Sequence, residues 1–124
     1  MFYHYNDYLI PVIIGKNQAG FSKAMKIKRK KKVRAHIFAG RFSFLQRISF
    51  FCHEIKPDND FWIFQSLISY ADALDEYYTP AFIICDEADR IFFDKYSSEL
   101  EKYYVGITYH DYMNEETSGE EDKK

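Results

Sequence analysis

The sequence holds only two cysteines, Cys52 and Cys85, and neither belongs to a CxxC pair. That excludes a zinc knuckle and a disulfide framework, and leaves two buried free thiols as the expectation. Long apolar runs are missing too: none approaches the roughly 20 residues that span a bilayer. The opening Met1-Phe2-Tyr3-His4-Tyr5-Asn6-Asp7 lacks the basic start and apolar stretch of a signal peptide. No membrane insertion and a cytoplasmic location are therefore expected. The four histidines, His4, His36, His53 and His110, stand far apart without HxxxH spacing, so no metal centre is expected. Cys52-His53-Glu54 looks like a reactive cluster, but on a strand Cys52 and His53 point to opposite faces, which spoils a nucleophile and base pair. No catalytic set emerges.

What is present is one domain's worth of chain. At 124 residues it can bury a core, and a second full domain would not fit beside the first. Aromatic residues make up 19%, which argues for a packed interior and against disorder except at the ends. The net charge of -2 hides an asymmetry. Lys23, Lys26, Lys28, Arg29, Lys30, Lys31, Lys32 and Arg34 crowd one segment, and Glu115, Glu116, Glu120, Glu121 and Asp122 crowd another. Residues 1–110 read as a single α/β domain and 111–124 as an acidic, disordered tail.

The pattern along the chain alternates strand and helix. Pro11-Val12-Ile13-Ile14-Gly15 is a β-branched burst closed by glycine, as suits a strand buried on both faces. Lys16 to Gly20 reads as a turn, and Phe21 to about Lys31 as a helix. Val33 to Ala39 alternates as a second strand. Arg41 to Ile55 fits neither period well and suggests a loop or one helical turn, then a short strand near Phe50 to Glu54. Asp58-Asn59-Asp60 supplies N-cap chemistry for a helix in which Phe64, Leu67, Ile68, Ala71, Leu74 and Tyr78 recur until Thr79-Pro80. Ala81 to Cys85 is another apolar strand, meeting the acidic turn Asp86-Glu87-Ala88-Asp89. One broken helix or two short ones follow, with Ser98 and Glu101 in a capping-box pattern. Val105 to Tyr109 is a last strand. Strands separated by helix-length segments predict right-handed crossovers, hence a three-layer, Rossmann-like α/β domain with a short, mostly parallel sheet.

Several strings carry a resemblance: Pro-Val-Ile-Ile-Gly at 11–15, Phe21-Ser22, the helix after Asp58-Asn59-Asp60, and Ile83-Ile84-Cys85-Asp86-Glu87 followed by Ser98-Glu99-Leu100-Glu101-Lys102-Tyr103. Over roughly Pro11 to Tyr109 the chain resembles the N-terminal, pre-ATP-grasp domain of ATP-grasp ligases of the carbamoyl-phosphate synthase-like group. In such relatives the first strand runs into a Gly-Gly-Asp-like turn. Here that turn is Gly15-Lys16-Asn17, lacking the second glycine and the carboxylate. The resemblance implies ATP-dependent carboxylate activation in the complete enzymes, with ATP and magnesium held by the two domains that follow. It implies for this chain a pre-ATP-grasp-like module that binds no cofactor itself, and an ATP-grasp catalytic subunit or a second copy as partner.

The residues also suggest sites. Gly15, Asn17, Gln18 and Gly20 lie where backbone N–H groups between a strand and a helix can hold an anion or nucleotide. They complete neither the P-loop, which needs Lys before Ser22, nor GxGxxG, which fails at position 17. A plain tight turn is the alternative. Asp86 and Glu87, with Asp89, could orient a substrate or metal at a strand end, or cap the next helix. Lys26, Lys28, Arg29, Lys30, Lys31 and Lys32 could attract nucleic acid, although they form no clean one-sided stripe and would serve equally as solvated surface. Phe61, Trp62, Tyr70 and Tyr77 offer aromatic surface for an interface. Three functions follow: a non-catalytic ligase module, a small nucleic-acid-binding protein, or a stand-alone nucleotide-binding domain.

Overall fold

The computed structural model describes residues 9–16, 18–56, 58–75 and 77–120, with side chains as far as Asn114. Five strands, β1 (Leu9–Ile14), β2 (His36–Ala39), β3 (Phe51–Glu54), β4 (Thr79–Ile84) and β5 (Val105–Thr108), form one sheet in the order β3-β2-β1-β4-β5. Every neighbouring pair is parallel, as expected of strands joined through helices. The apolar bursts of β1 and β4 take the centre because both of their faces are covered. Val12, Ile13, Phe82 and Ile83 have no exposed surface.

Among the described residues six helices flank the sheet: α1 (Gln18–Lys31), α2 (Phe44–Ser49), α3 (Asp60–Asp72), α4 (Glu87–Lys95), α5 (Ser97–Leu100) and α6 (Tyr109–Glu120). One apolar cluster joins Ile13, Ile37 and Ile83 to Ala24 and Ile27 of α1 and Tyr112 of α6. The other joins Val12, Phe38 and Phe82 to Ile63 and Leu67 of α3, Phe92 and Phe93 of α4, and Leu100 of α5. These clusters make a three-layer, Rossmann-like architecture.

Several boundaries differ from the sequence reading, each for a local reason. α1 begins at Gln18, so Gln18, Ala19 and Gly20 belong to the helix and not to a turn. Gly20 lies close to β1: a Cβ there would stand 3.1 Å from the Ile14 carbonyl oxygen. α3 is capped by Asn59, whose side-chain oxygen accepts the Trp62 N–H at 3.0 Å, and it stops at Asp72. Its buried stripe is Ile63, Leu67 and Ala71; Phe64 and Ile68 lie at the margin and Tyr78 is outside the helix. Thr79 and Pro80 open β4, Pro80 in register with Ile10, and β5 pairs only from Ala81 onward. α4 and α5 meet at Tyr96, and no side chain caps α5, so Ser98 and Glu101 form no capping box. The box occurs instead at α2, where Ser43 Oγ accepts the Gln46 N–H and Gln46 Oε1 accepts the Ser43 N–H. The expected boundary at residue 110 falls inside α6: Tyr112 and Met113 are buried against α1 and the helix runs to Glu120.

Candidate functional site

In a parallel sheet whose outer strands are reached by crossovers to opposite sides, the carboxyl edge opens where the direction of winding reverses. Here that point lies between β1 and β4, and both sequence-predicted turns stand on this edge. Gly15 leaves β1 with its N–H donating to the Phe38 carbonyl at 2.9 Å, tying the turn to β2. A Cβ at Gly15 would stand 3.0 Å from Ile37 Cγ2 and 3.1 Å from the Phe21 ring, a close approach that glycine meets without displacing either side chain. Gly15 and Gly20 stand at the spacing of the first and third glycines of the dinucleotide fingerprint, and Gly20 lets α1 pack close against β1. Asn17 lies outside the described residues.

An open groove of about 630 Å³ runs from this turn to the end of β2. Gly15, Lys16, Gln18 and Phe21 form one wall; Gly40, Arg41, Phe42, Ser43 and Gln46 form the other. Its size suits a small ligand of nucleotide dimensions. Phe21 and Phe42 meet edge to face at 5.8 Å beneath it. Among the described residues two cations line it and no carboxylate does. Lys16 also pairs with Asp60 Oδ1 at 3.6 Å, and Lys95 reaches the other oxygen of Asp60 at 3.7 Å.

Asp86 and Glu87 stand on the same edge but outside that groove. Asp86 is the N-cap of α4, its Oδ1 accepting the Asp89 N–H at 3.0 Å, and Glu87 is exposed in the first turn. Asp89 is the buried acid: its Oδ2 accepts the Cys85 N–H at 2.9 Å, satisfying a backbone donor at the end of β4. Burial pushes its carboxyl up to about 6, and burial with the neighbouring Asp89 pushes the Cys85 thiol up to about 12. A thiol held in that form is no nucleophile. Both cysteines are free and half-buried, less enclosed than expected. Cys52 packs toward the α1 side while His53 stacks on Phe38 at 4.3 Å on the α3 side, so the two do face apart.

The basic segment lies at the far end of α1, away from the groove. Lys26, Arg29, Lys30 and Lys32 are exposed, while Lys28 and Lys31 are half-buried. Lys31 Nζ sits over the Tyr112 ring at 4.0 Å, and Lys23 over Tyr109 at 5.4 Å. Two of the cations are therefore laid against α6, while Lys26, Arg29 and Lys30, at i, i+3 and i+4, stay exposed on the helix. Phe61 and Trp62 are exposed on α3 as expected, Tyr70 is half-buried, and Tyr77 is exposed beyond the helix.

Sequence reasoning missed Lys16, Arg41, Ser43 and Gln46 as groove residues. The signal available was Gly40-Arg41 directly after an alternating strand; what was lacking was the knowledge that this strand adjoins the first. It also missed that His36 and His53 meet, Nδ1 to Nε2, at 2.9 Å. Among the described residues no group of three or more His, Cys, Asp or Glu side chains could hold a metal ion, and no helix is long and apolar enough to cross a membrane. No protein-family model, curated protein or solved structure matches the chain.

Proposed function

We propose that this chain is a nucleotide-binding α/β domain that holds an adenosine phosphate at the carboxyl edge of its sheet and performs no chemistry on it alone. The observation that carries this reading is the groove joining the Gly15 turn to the Gly40-Arg41 turn across adjacent strands, with Lys16 and Arg41 on its walls. A parallel sheet in the order β3-β2-β1-β4-β5 is the scaffold on which such edges take nucleotides. Backbone N–H groups at the start of α1 and the cations supply attraction for phosphate, and the Phe21–Phe42 floor supplies apolar surface. Titration calorimetry of the full chain with ADP tests it. Saturable binding weakened several-fold by Lys16→Glu is expected; absence of heat at millimolar ADP overturns the reading.

A second reading, a non-catalytic module of the pre-ATP-grasp kind that docks on an ATP-grasp partner, is favoured by exposed Phe61 and Trp62, 54% and 46% accessible on one helix. The two readings part on the same titration, since a module whose nucleotide is held by its partner is silent with ADP.

A further inference from the structure

Resting on the nucleotide reading, we infer that the groove selects adenosine nucleotides carrying a phosphate on the ribose 2′ oxygen, with Arg41 as the residue that reads it. A ribose diol is recognised by a carboxylate at the end of the second strand, which accepts both hydroxyl protons and repels a phosphate placed there. This chain has no such acid. Not one Asp or Glu stands between Gly15 and Glu54. Glu54 itself is held by Arg47 at 2.9 Å, and Asp60 by Lys16 and Lys95. The end of β2 carries Gly40-Arg41 instead, and Arg41 is exposed on the groove wall.

The neighbours of Arg41 are donors as well. The α2 capping box occupies acceptor capacity: Ser43 Oγ accepts the Gln46 N–H at 3.2 Å and Gln46 Oε1 accepts the Ser43 N–H at 2.8 Å. That leaves the Ser43 O–H and the Gln46 amide N–H groups as donors beside the guanidinium. A wall that offers a guanidinium fork, a hydroxyl proton and an amide, with no competing carboxylate, matches a phosphate dianion and mismatches a neutral diol.

Calorimetry with three ligands tests the inference: 5′-AMP, adenosine 2′,5′-bisphosphate and adenosine 3′,5′-bisphosphate. The 2′,5′ compound is expected to bind about tenfold more tightly than 5′-AMP and than the 3′,5′ isomer. Arg41→Gln is expected to abolish that advantage, weakening the 2′,5′ compound about tenfold more than 5′-AMP, with the melting temperature unchanged. Equal binding of 5′-AMP and the 2′,5′ compound, or of the two bisphosphates, overturns 2′ selectivity and leaves the nucleotide reading standing. An advantage that survives Arg41→Gln overturns the role of Arg41. No binding by any of the three overturns both proposals.

Discussion

His36 Nδ1 and His53 Nε2 lie 2.9 Å apart across β2 and β3, so one ring must donate and the other accept, and the contact holds only while at least one is neutral. The pair is enclosed by aromatic rings: His36 stacks on Phe51 at 4.6 Å, His53 on Phe38 at 4.3 Å, and Tyr70 of α3 meets both. Burial, then the facing His53, then Arg34 lower the His36 imidazole to about 4, and burial lowers His53 as well.

A proton is therefore bound more tightly by the unfolded chain than by the folded one. Stability from this pair is complete above about 6.5 and is lost as pH falls toward 4. His36→Phe is expected to flatten that loss by on the order of 1 kcal/mol, a figure reduced for the pair's partial exposure to solvent. Urea midpoints of the two proteins at pH 7.5 and 4.5 check it; an unchanged difference between the two pH values sinks it.

Asp89 works in the opposite sense. Its carboxyl is raised from 3.8 to about 6, so the folded state holds its proton more tightly than the unfolded chain. The associated stability is complete below about 3.8 and is lost as pH rises through 6. Asp89→Asn keeps an oxygen for the Cys85 N–H and removes the buried charge, so it is expected to gain about 1–2 kcal/mol at pH 7.5 relative to pH 4. Asp89→Ala removes the same charge but strands the Cys85 N–H, so it is expected to lie about 1–3 kcal/mol below Asp89→Asn at both pH values. Denaturant titrations of the two variants separate charge from hydrogen bond.

The elements legible in the sequence were those whose pattern is decided locally. β1 throughout and β4 from Pro80 onward are apolar because both faces are covered, and Asn59 announces α3 through a side chain that caps it three residues on. The elements misread were decided by distant partners. Gln18-Ala19-Gly20 has turn chemistry in isolation, yet it opens α1, with Gly20 close against the end of β1. Residues after His110 are polar overall, yet Tyr112 and Met113 are buried in the apolar cluster between α1 and the sheet. The groove was half legible for the same reason: Gly15 and Gln18 could be placed at a strand end, whereas Arg41 becomes its neighbour only through the pairing of β1 with β2.

Tyr104 O–H donates to the Leu67 carbonyl at 2.6 Å, a buried link between α3 and the segment leading into β5. The ring also packs edge to face against Phe82 at 6.4 Å. Tyr104→Phe keeps the ring and removes only the hydroxyl, so it is expected to cost about 1–2 kcal/mol. Tyr104→Ala adds a cavity and is expected to cost about 3–5 kcal/mol. Equal costs for the two variants in thermal unfolding would show that the ring contributes nothing beyond the hydrogen bond.

Lys32 ends α1 at a φ of 61°, the one non-glycine residue with a positive φ among those described. Its N–H donates to the Lys28 carbonyl at 3.0 Å, closing the last turn as a glycine would. A Cβ in this conformation crowds the neighbouring carbonyl and costs on the order of 1 kcal/mol. Lys32→Gly removes that crowding but frees the unfolded chain, so the net gain is expected to be about 0.5 kcal/mol. Lys32→Val keeps the geometry and worsens the crowding, and is expected to lose at least 1 kcal/mol by the same reasoning about branched side chains at positive φ. Urea titrations at high salt check both, since salt damps the effect of removing one charge from the Lys26–Arg34 segment. If glycine were the less stable of the two variants, the left-handed end of α1 would be wrong.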